Sequence, residues 1–344
     1  MSEEASAPAS SGLCLITGAT GFIGGHLARR LAATGIPVRC LARPGSDTAE
    51  LEKLDTQIVR GDLTDRRSLS AAVEGCSHVF HCGALVTDWA TRDEIAAVNV
   101  AGTRSLLEAA ANAGVARFIH LSTTDVYGYP DRPGVDETYT ATRFRNWYAQ
   151  SKLEAEIEVR RAEARSGLAT VILRPATVYG PGSKEVVGEI ARAIRARHML
   201  LIDGGRPVAG LCYVENLIDA ALLALDHHAA PGNAFNVTDG LATTWRQFTD
   251  DLAAGLGAPR VRLSLPYRSA YLVGLALEEG YRLLRSATGL TIPALLSRQA
   301  VQVLGKGQDF SNRKARETLG WNPRVSYDDG LRATLAWLQD DHLR

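Results

Sequence analysis

Between the apolar run Leu13-Cys14-Leu15-Ile16-Thr17 and the helix-spaced set Phe22, Ile23, Leu27, Leu31 and Ala32 stand three glycines, Gly18, Gly21 and Gly24, in the spacing G-x-x-G-x-x-G. A strand, a glycine turn and a helix in that order is the context a dinucleotide site requires. Glycine allows the tight turn and lets backbone approach a pyrophosphate, and the helix start offers free N–H groups and a positive dipole end. A plain strand-to-helix turn is the other reading of the same stretch.

The chain then repeats the alternation. Strand-like runs at 37–41, 57–62, 78–82, 117–122 and 169–174 are separated by helical patterns at about 65–74, 93–113 and 147–166. Strands alternating with helices imply a parallel sheet covered on both faces, and right-handed crossovers make it doubly wound, an α/β fold of the Rossmann type. After about residue 180 the rhythm breaks at Gly180-Pro181-Gly182, and Ala234-Phe235-Asn236-Val237 reads as one more strand returning to the sheet. The expected organisation is a disordered tail at 1–11, a dinucleotide-binding domain at 12–182 with 211–238 returning to it, and a smaller, mostly helical substrate lobe from 183–210 and 239–344.

With 344 residues there is length for two lobes, and 38 Lys plus Arg against 38 Asp plus Glu leave no basic excess that would suit nucleic acid. Cys14, Cys40, Cys76, Cys82 and Cys212 form no C-x-x-C pair, so neither metal nor redox motif is expected, and an odd, scattered set suits a reducing cytoplasm. The start MSEEASAPASSG lacks the basic and apolar regions of a signal peptide, and no run of 18 apolar residues reads as transmembrane.

Tyr148 and Lys152 form Y-x-x-x-K, which on a helix places both on one face. A free tyrosine has a pKa of about 10, and lowering it by about 2 units takes roughly 2.7 kcal/mol, which a fixed ammonium and an oxidised nicotinamide would supply together. A surface helix with an unrelated Tyr and Lys gives the same spacing. "LSTTDVYG" at 121–128 closes a strand with hydroxyls at Ser122, Thr123 and Thr124, suited to bonding a substrate carbonyl or to ordinary turn chemistry.

"TGATGFIGGHL", "GDLTD", "NVAGT", "LSTTDVYG", "YAQSK", "LRPATVYGPG" and the late "DFSNRKARETLGWNPRVSYDDGL" occur in this order from about residue 12 to 338. Together they resemble the extended branch of the short-chain dehydrogenase/reductase superfamily, the epimerase/dehydratase type. The resemblance makes the glycine turn a cofactor turn, with contacts from Gly18, Thr20, Gly21, Phe22, Ile23 and Gly24. It gives Tyr148 the acid/base role and Lys152 the nicotinamide ribose. It places the catalytic hydroxyl on Thr123, with Ser122 as competitor, and matches Asn99 to the family's helix asparagine. Asp62 and Leu63 match its adenine contacts, Ala84 the loop under the cofactor and Pro175 the loop beside the nicotinamide. Gly83 departs from the alanine more usual there.

Where dehydratases of this branch resemble Thr-Asp-Glu, this chain has Thr123, Thr124 and Asp125, with Asp125 expected as a turn residue. "ALVTDWATRDEIAAVNVAGT" and the apolar stretch 263–304 resemble the 3-beta-hydroxysteroid dehydrogenase-like group. The expected substrate is a hydrophobic alcohol or ketone, steroid-like, polyketide or acyl. Arg268, Arg282, Arg285 and Arg298 keep a nucleotide-sugar epimerase or dehydratase open, and a non-catalytic nucleotide-binding regulator is the third reading. Tyr267, Tyr271 and Leu275 are candidate pocket walls or core. Ala42 ends the second strand where enzymes using NAD carry a carboxylate. With Arg43 after it and Arg39 before it, NADP is expected and NAD remains usable. A homodimer is expected through helices like those at 93–113 and 147–166, in the cytoplasm.

Overall fold

The apolar run before the glycines is a fully buried strand, β1 (Cys14–Thr17), and the glycines lead straight into α1 (Phe22–Ala33). The structure, a computed structural model, describes residues 12–87, 90–141, 146–288 and 297–340. The expected tail at 1–11 and residues 289–296 of the apolar stretch lie outside the described residues. The chain continues through β2 (Val38–Ala42), a short α2 (Ala49–Glu52), β3 (Thr56–Arg60), α3 (Arg66–Val73) and β4 (His78–His81). Then come α4 (Arg92–Ala96), α5 (Thr103–Asn112), β5 (Arg117–Leu121), α6 (Trp147–Ser166) and β6 (Thr170–Pro175).

Among the described residues the central sheet has seven strands, and its order is β6-β5-β4-β1-β2-β3 with Ala234–Val237 added beyond β6. Every pairing in it is parallel. The chain runs outward from β1 to β3, then returns to β4 on the other side of β1, so the crevice where strand order reverses lies above β1 and β4. Strands buried on both faces read as continuous apolar runs, which is why β1, β4 and β6 carry no alternation.

Caps set the helix starts. Asp65 accepts from Arg67 N–H ahead of α3, Thr91 and Glu94 form a reciprocal capping box at α4, and Asn146 accepts from Ala149 N–H at α6. Gly167, at φ +73°, ends α6. Between α4 and α5 the helix widens into a π segment, Ala97–Gly102, as helices often do at functional sites.

The second half of the chain begins with β7 (Thr177–Tyr179) and α7 (Glu189–Arg195), followed by β8 (Leu201–Ile202), β9 (Leu211–Tyr213), α8 (Val214–Asp226), which packs on the sheet, and β10, the Ala234–Val237 strand that returns to the sheet. α9 (Trp245–Gly255), β11 (Ser264–Leu265), α10 (Tyr267–Thr288), α11 (Arg298–Gly305), α12 (Arg313–Leu319) and α13 (Tyr327–Gln339) complete it. Tyr179, Ile190, Leu201, Trp245 and Phe248 share one core here, separate from the two cores on the faces of the sheet. Ala315, Leu319 and Trp321 instead pack with α1 and α8 against the sheet. The pairs β7–β9 and β8–β11 are too short for periodicity to reveal.

Candidate active site

The glycine turn is shaped by close backbone approach. Gly18 has φ +69°, and a Cβ there would stand 2.8 Å from the backbone of Gly83, on the loop after β4. A side chain at Gly24 would run into the Gly18 carbonyl. Gly21 precedes α1 without a side-chain cap, and the first turn of α1 holds no acidic residue. The first N–H groups of α1 therefore have no side-chain cap or carboxylate to satisfy them, and they carry the positive end of the helix dipole. Thr20 and Phe22 lie in this turn, exposed and half-buried.

At the far edge of the crevice, β2 ends in buried Ala42, followed by exposed Arg43. Arg60 shapes the 43–48 loop by donating to the carbonyls of Arg43 and Ser46 and to Thr48 Oγ1. Thr64, through its hydroxyl and N–H, bonds Asp62 Oδ1, and these bonds with the nearby Arg43 charge hold the Asp62 carboxyl below its usual range. Arg39, expected beside the cofactor edge, is turned to the other end of the sheet. It bonds the carbonyls of Ala72 and Glu74. Arg39 is the second residue of β2, three before Ala42, so it lies toward the start of the strand and away from its carboxyl end.

Tyr148 and Lys152 stand one turn apart near the start of α6, where the Asn146 cap fixes the helix entry. Burial, then the Asp125 carboxylate, push the Tyr148 phenol above its ordinary range. The expected downward pull is therefore not what the protein itself exerts. Asp125 lies in the first turn of the short 3-10 segment Thr124–Tyr127, capped by Thr123, and its charge raises the Tyr148 pKa further. Lys152 Nζ donates to the Leu121 carbonyl at 2.6 Å, and burial lowers its pKa to about 8 despite Glu156.

The two competing hydroxyls part company. Ser122 is buried and donates to Glu156 Oε1 at 2.6 Å. Thr123 is half-buried and accepts from Asp125 N–H at 3.1 Å, which leaves its own O–H to donate. Asn99, held by the π segment, uses its whole amide inside the protein. It donates to the Leu85 carbonyl and Ser151 Oγ and accepts from Leu85 N–H at 2.7 Å. It is a strut between α6 and the loop carrying Ala84. Gly102 in that segment lies against Leu63, and Pro175 closes β6.

Two groups of residues escaped the sequence reading. One is a buried ion pair: Arg174 binds Glu156 through two bonds of 2.9 and 2.6 Å and donates to Tyr127 Oη, which donates to Asn236 on β10. The other is a polar row across β1, β4 and β5. Thr17 lies opposite His81, and His81 opposite His120. The signal for this row was a polar residue at or next to the carboxyl end of three apolar strands, CLIT, HVFH and RFIHL. The loop after the active strand is also unusual: Tyr129 and Asp131 have φ of 57° and 53°, and Asp131 is clamped by Lys306 and the N–H of Gly307.

Residues 14–238 match the NAD dependent epimerase/dehydratase family. The chain belongs to that family. Across 326 residues it is 32% identical to the 2-alkyl-3-oxoalkanoate reductase of Stenotrophomonas maltophilia, covering 92% of this chain and 97% of the relative. It is 31% identical to the 3-beta-hydroxysteroid dehydrogenase of Mycolicibacterium neoaurum, covering 96% and 92%. The dTDP-glucose 4,6-dehydratase DesIV of Streptomyces venezuelae, solved with NAD bound, superposes with a TM-score of 0.78 at 24% identity, covering 95% of this chain and 97% of that one, which speaks for the fold. As a member of the epimerase/dehydratase family the protein is an extended short-chain dehydrogenase/reductase with a nicotinamide cofactor, and the uncapped α1 start and the Gly18–Gly83 approach fit one. Among the described residues no His, Cys, Asp or Glu cluster suits a metal, and no helix is long and apolar enough to cross a membrane.

Proposed function

We propose that this oxidoreductase reduces the ketone of an apolar, alkyl- or steroid-bearing substrate, with Tyr148 as proton donor and Thr123 bonding the same oxygen. The bound cofactor supplies the hydride. The observation that carries this reading is the placement of Tyr148 one turn before Lys152 on α6, with Lys152 held on the Leu121 carbonyl and Thr123 left with its O–H to donate; burial and then Asp125 keep the phenol protonated. A general acid must arrive at the transition state with its proton. Lys152 would orient the ribose, and Gly18, Thr20, Gly21, Phe22, Ile23 and Gly24 would hold the pyrophosphate. Asp62, Leu63, Ala84 and Pro175 would line the remainder.

The relatives named as a 2-alkyl-3-oxoalkanoate reductase and a 3-beta-hydroxysteroid dehydrogenase support an apolar substrate. Tyr267 and Tyr271, stacked at 6.1 Å, pack with Ile202, Ala270 and Val301 as a small core, so they support the floor of the lobe. Ala42 and exposed Arg43 support NADP over NAD, because a guanidinium suits a 2′-phosphate and alanine offers no acceptor to a ribose hydroxyl. A homodimer through α5 and α6 belongs to the same reading and is checked by sedimentation velocity.

The test follows NADPH oxidation with a 2-alkyl-3-oxoacyl ester, a 3-ketosteroid and UDP-glucose in parallel. Ketone-dependent oxidation lost in Tyr148→Phe supports the reading. Conversion of the nucleotide sugar with neither ketone consumed overturns it in favour of an epimerase.

A further inference from the structure

Lys152 rests on a floor of neutral polar groups. Its Nζ lies 3.5 Å from His120 Nε2, and the His120 and His81 rings stand 5.2 Å apart. The bonds around His81 fix its protonation. Thr103 Oγ1 donates to the Asn99 carbonyl at 2.6 Å, so at 2.8 Å it accepts from His81 Nε2–H. Thr17 Oγ1 accepts from Gly83 N–H at 3.1 Å and donates to His81 Nδ1 at 2.8 Å. Both ends of the row finish on backbone groups, the Gly83 N–H and the Asn99 carbonyl. It is a fixed support.

An ammonium can only donate, so His120 must present Nε2 as an acceptor and carry its proton on Nδ1. That Nδ1 is buried with no bonding partner. The protein leaves one nitrogen unsatisfied while the other faces Lys152. The other titratable groups around the ammonium are His81 and Cys82 from β4 and the loop after it, and Tyr148 and Glu156 from α6. Burial keeps both imidazoles neutral and raises the Cys82 thiol to about 12. Glu156 is already bound by Arg174 and Ser122.

We propose that His120 is a positioning residue that accepts from Lys152 through Nε2, aims the ammonium toward the crevice and sets its proton affinity. The role rests on the assignment of Lys152 given above. Loss of the acceptor destabilises the ammonium, so its pKa falls and the alkaline limit of cofactor binding moves to lower pH.

The chain has lysine only at 53, 152, 184, 306 and 314, so lysine labelled with carbon-13 at Cε gives a sparse spectrum in which Lys152→Met identifies the Lys152 signal. The cofactor-free full chain is titrated as wild type, His120→Phe and His120→Gln. The expected result is a Lys152 midpoint lowered by about one unit, tenfold in the proton equilibrium, in His120→Phe and restored in His120→Gln, whose amide oxygen accepts in place of Nε2. An unchanged midpoint in a folded His120→Phe protein overturns the proposal. Nitrogen-15 shifts of the wild-type imidazoles give a reading that needs no variant. A proton on Nδ1 of His120 supports the proposal, and a proton on Nε2 overturns it. Neither measurement uses turnover, so failure of the proposed ketone reduction would leave both outcomes readable.

Discussion

The Glu156–Arg174 cluster and the Lys152–His120 row are neighbours on α6, one helical turn apart, and both are buried. In the first, a guanidinium and a carboxylate meet through two bonds and a Tyr127–Asn236 chain satisfies the remainder. In the second, an ammonium faces a carbonyl and neutral imidazoles, and burial pulls its pKa down to about 8. Opposite charge cancels the cost of burial in one place. The cost is left standing in the other, where the proposed role has the cation face a ribose and a phenol. The difference teaches where this fold keeps stability and where it keeps chemistry.

Removing the chemical side should damage turnover most. Tyr148→Phe is expected to lower kcat by about a hundred- to ten-thousand-fold while leaving the denaturation midpoint and cofactor affinity nearly unchanged, since only a proton donor is lost. Steady-state kinetics with the responding ketone and a fluorescence titration of NADPH check it. More than about a tenth of the wild-type kcat would remove Tyr148 from the acid role.

The structural side should answer in stability. Arg174→Leu leaves the buried Glu156 with only the Ser122 hydroxyl and the longer 3.6 Å contact to Arg160, which costs up to about 3–5 kcal/mol, and adding Glu156→Leu recovers part of the loss. Urea denaturation of the two variants measures both. A double variant no better than the single would mean the pair is held for something other than charge cancellation.

Lys152 sharpens the contrast through pH. Its folded pKa of about 8 lies below the ordinary 10.5, so between these values the unfolded chain holds a proton that the folded chain has released. Stability contributed by this group therefore rises with pH across that window, and below it the buried ammonium costs about 3 kcal/mol. Lys152→Met removes the cost. The variant's advantage in urea denaturation should be largest near neutral pH and shrink toward pH 10. A gap that grows with pH would show the lysine stabilised by a partner, as Arg174 is.

The smallest effect concerns the outer edge of the crevice. Arg43→Ala should reduce the preference for NADPH over NADH by roughly ten- to a hundred-fold, the worth of a bond to a charged group, and Ala42→Asp should turn it toward NADH. The ratio of kcat/KM for the two cofactors decides. No change in Arg43→Ala would mean that Arg43 only covers the adenine.

Some of this was fixed by neighbours along the chain. The glycine turn, the helix Trp147–Ser166 with Tyr148 and Lys152 on one face, and the returning strand Ala234–Val237 are written in local periodicity, caps and turn residues, which act over a few residues. The resemblance carried by successive short motifs then supplied the family. Tertiary structure alone decided the surroundings of those residues. Thr17 and His81 are 64 positions apart and Ser122 and Glu156 are 34 apart, and they meet only through strand register and helix docking. The same packing turned Arg39 away from the cofactor edge, used up the Asn99 amide as a strut, and, by burying Tyr148 with Asp125 beside it, raised the phenol's pKa instead of letting it fall. A pKa depends on every charge and every desolvating atom within several ångströms, and for Tyr148 and Lys152 those neighbours include Cys82, His120, Asp125 and Glu156, spread along the chain.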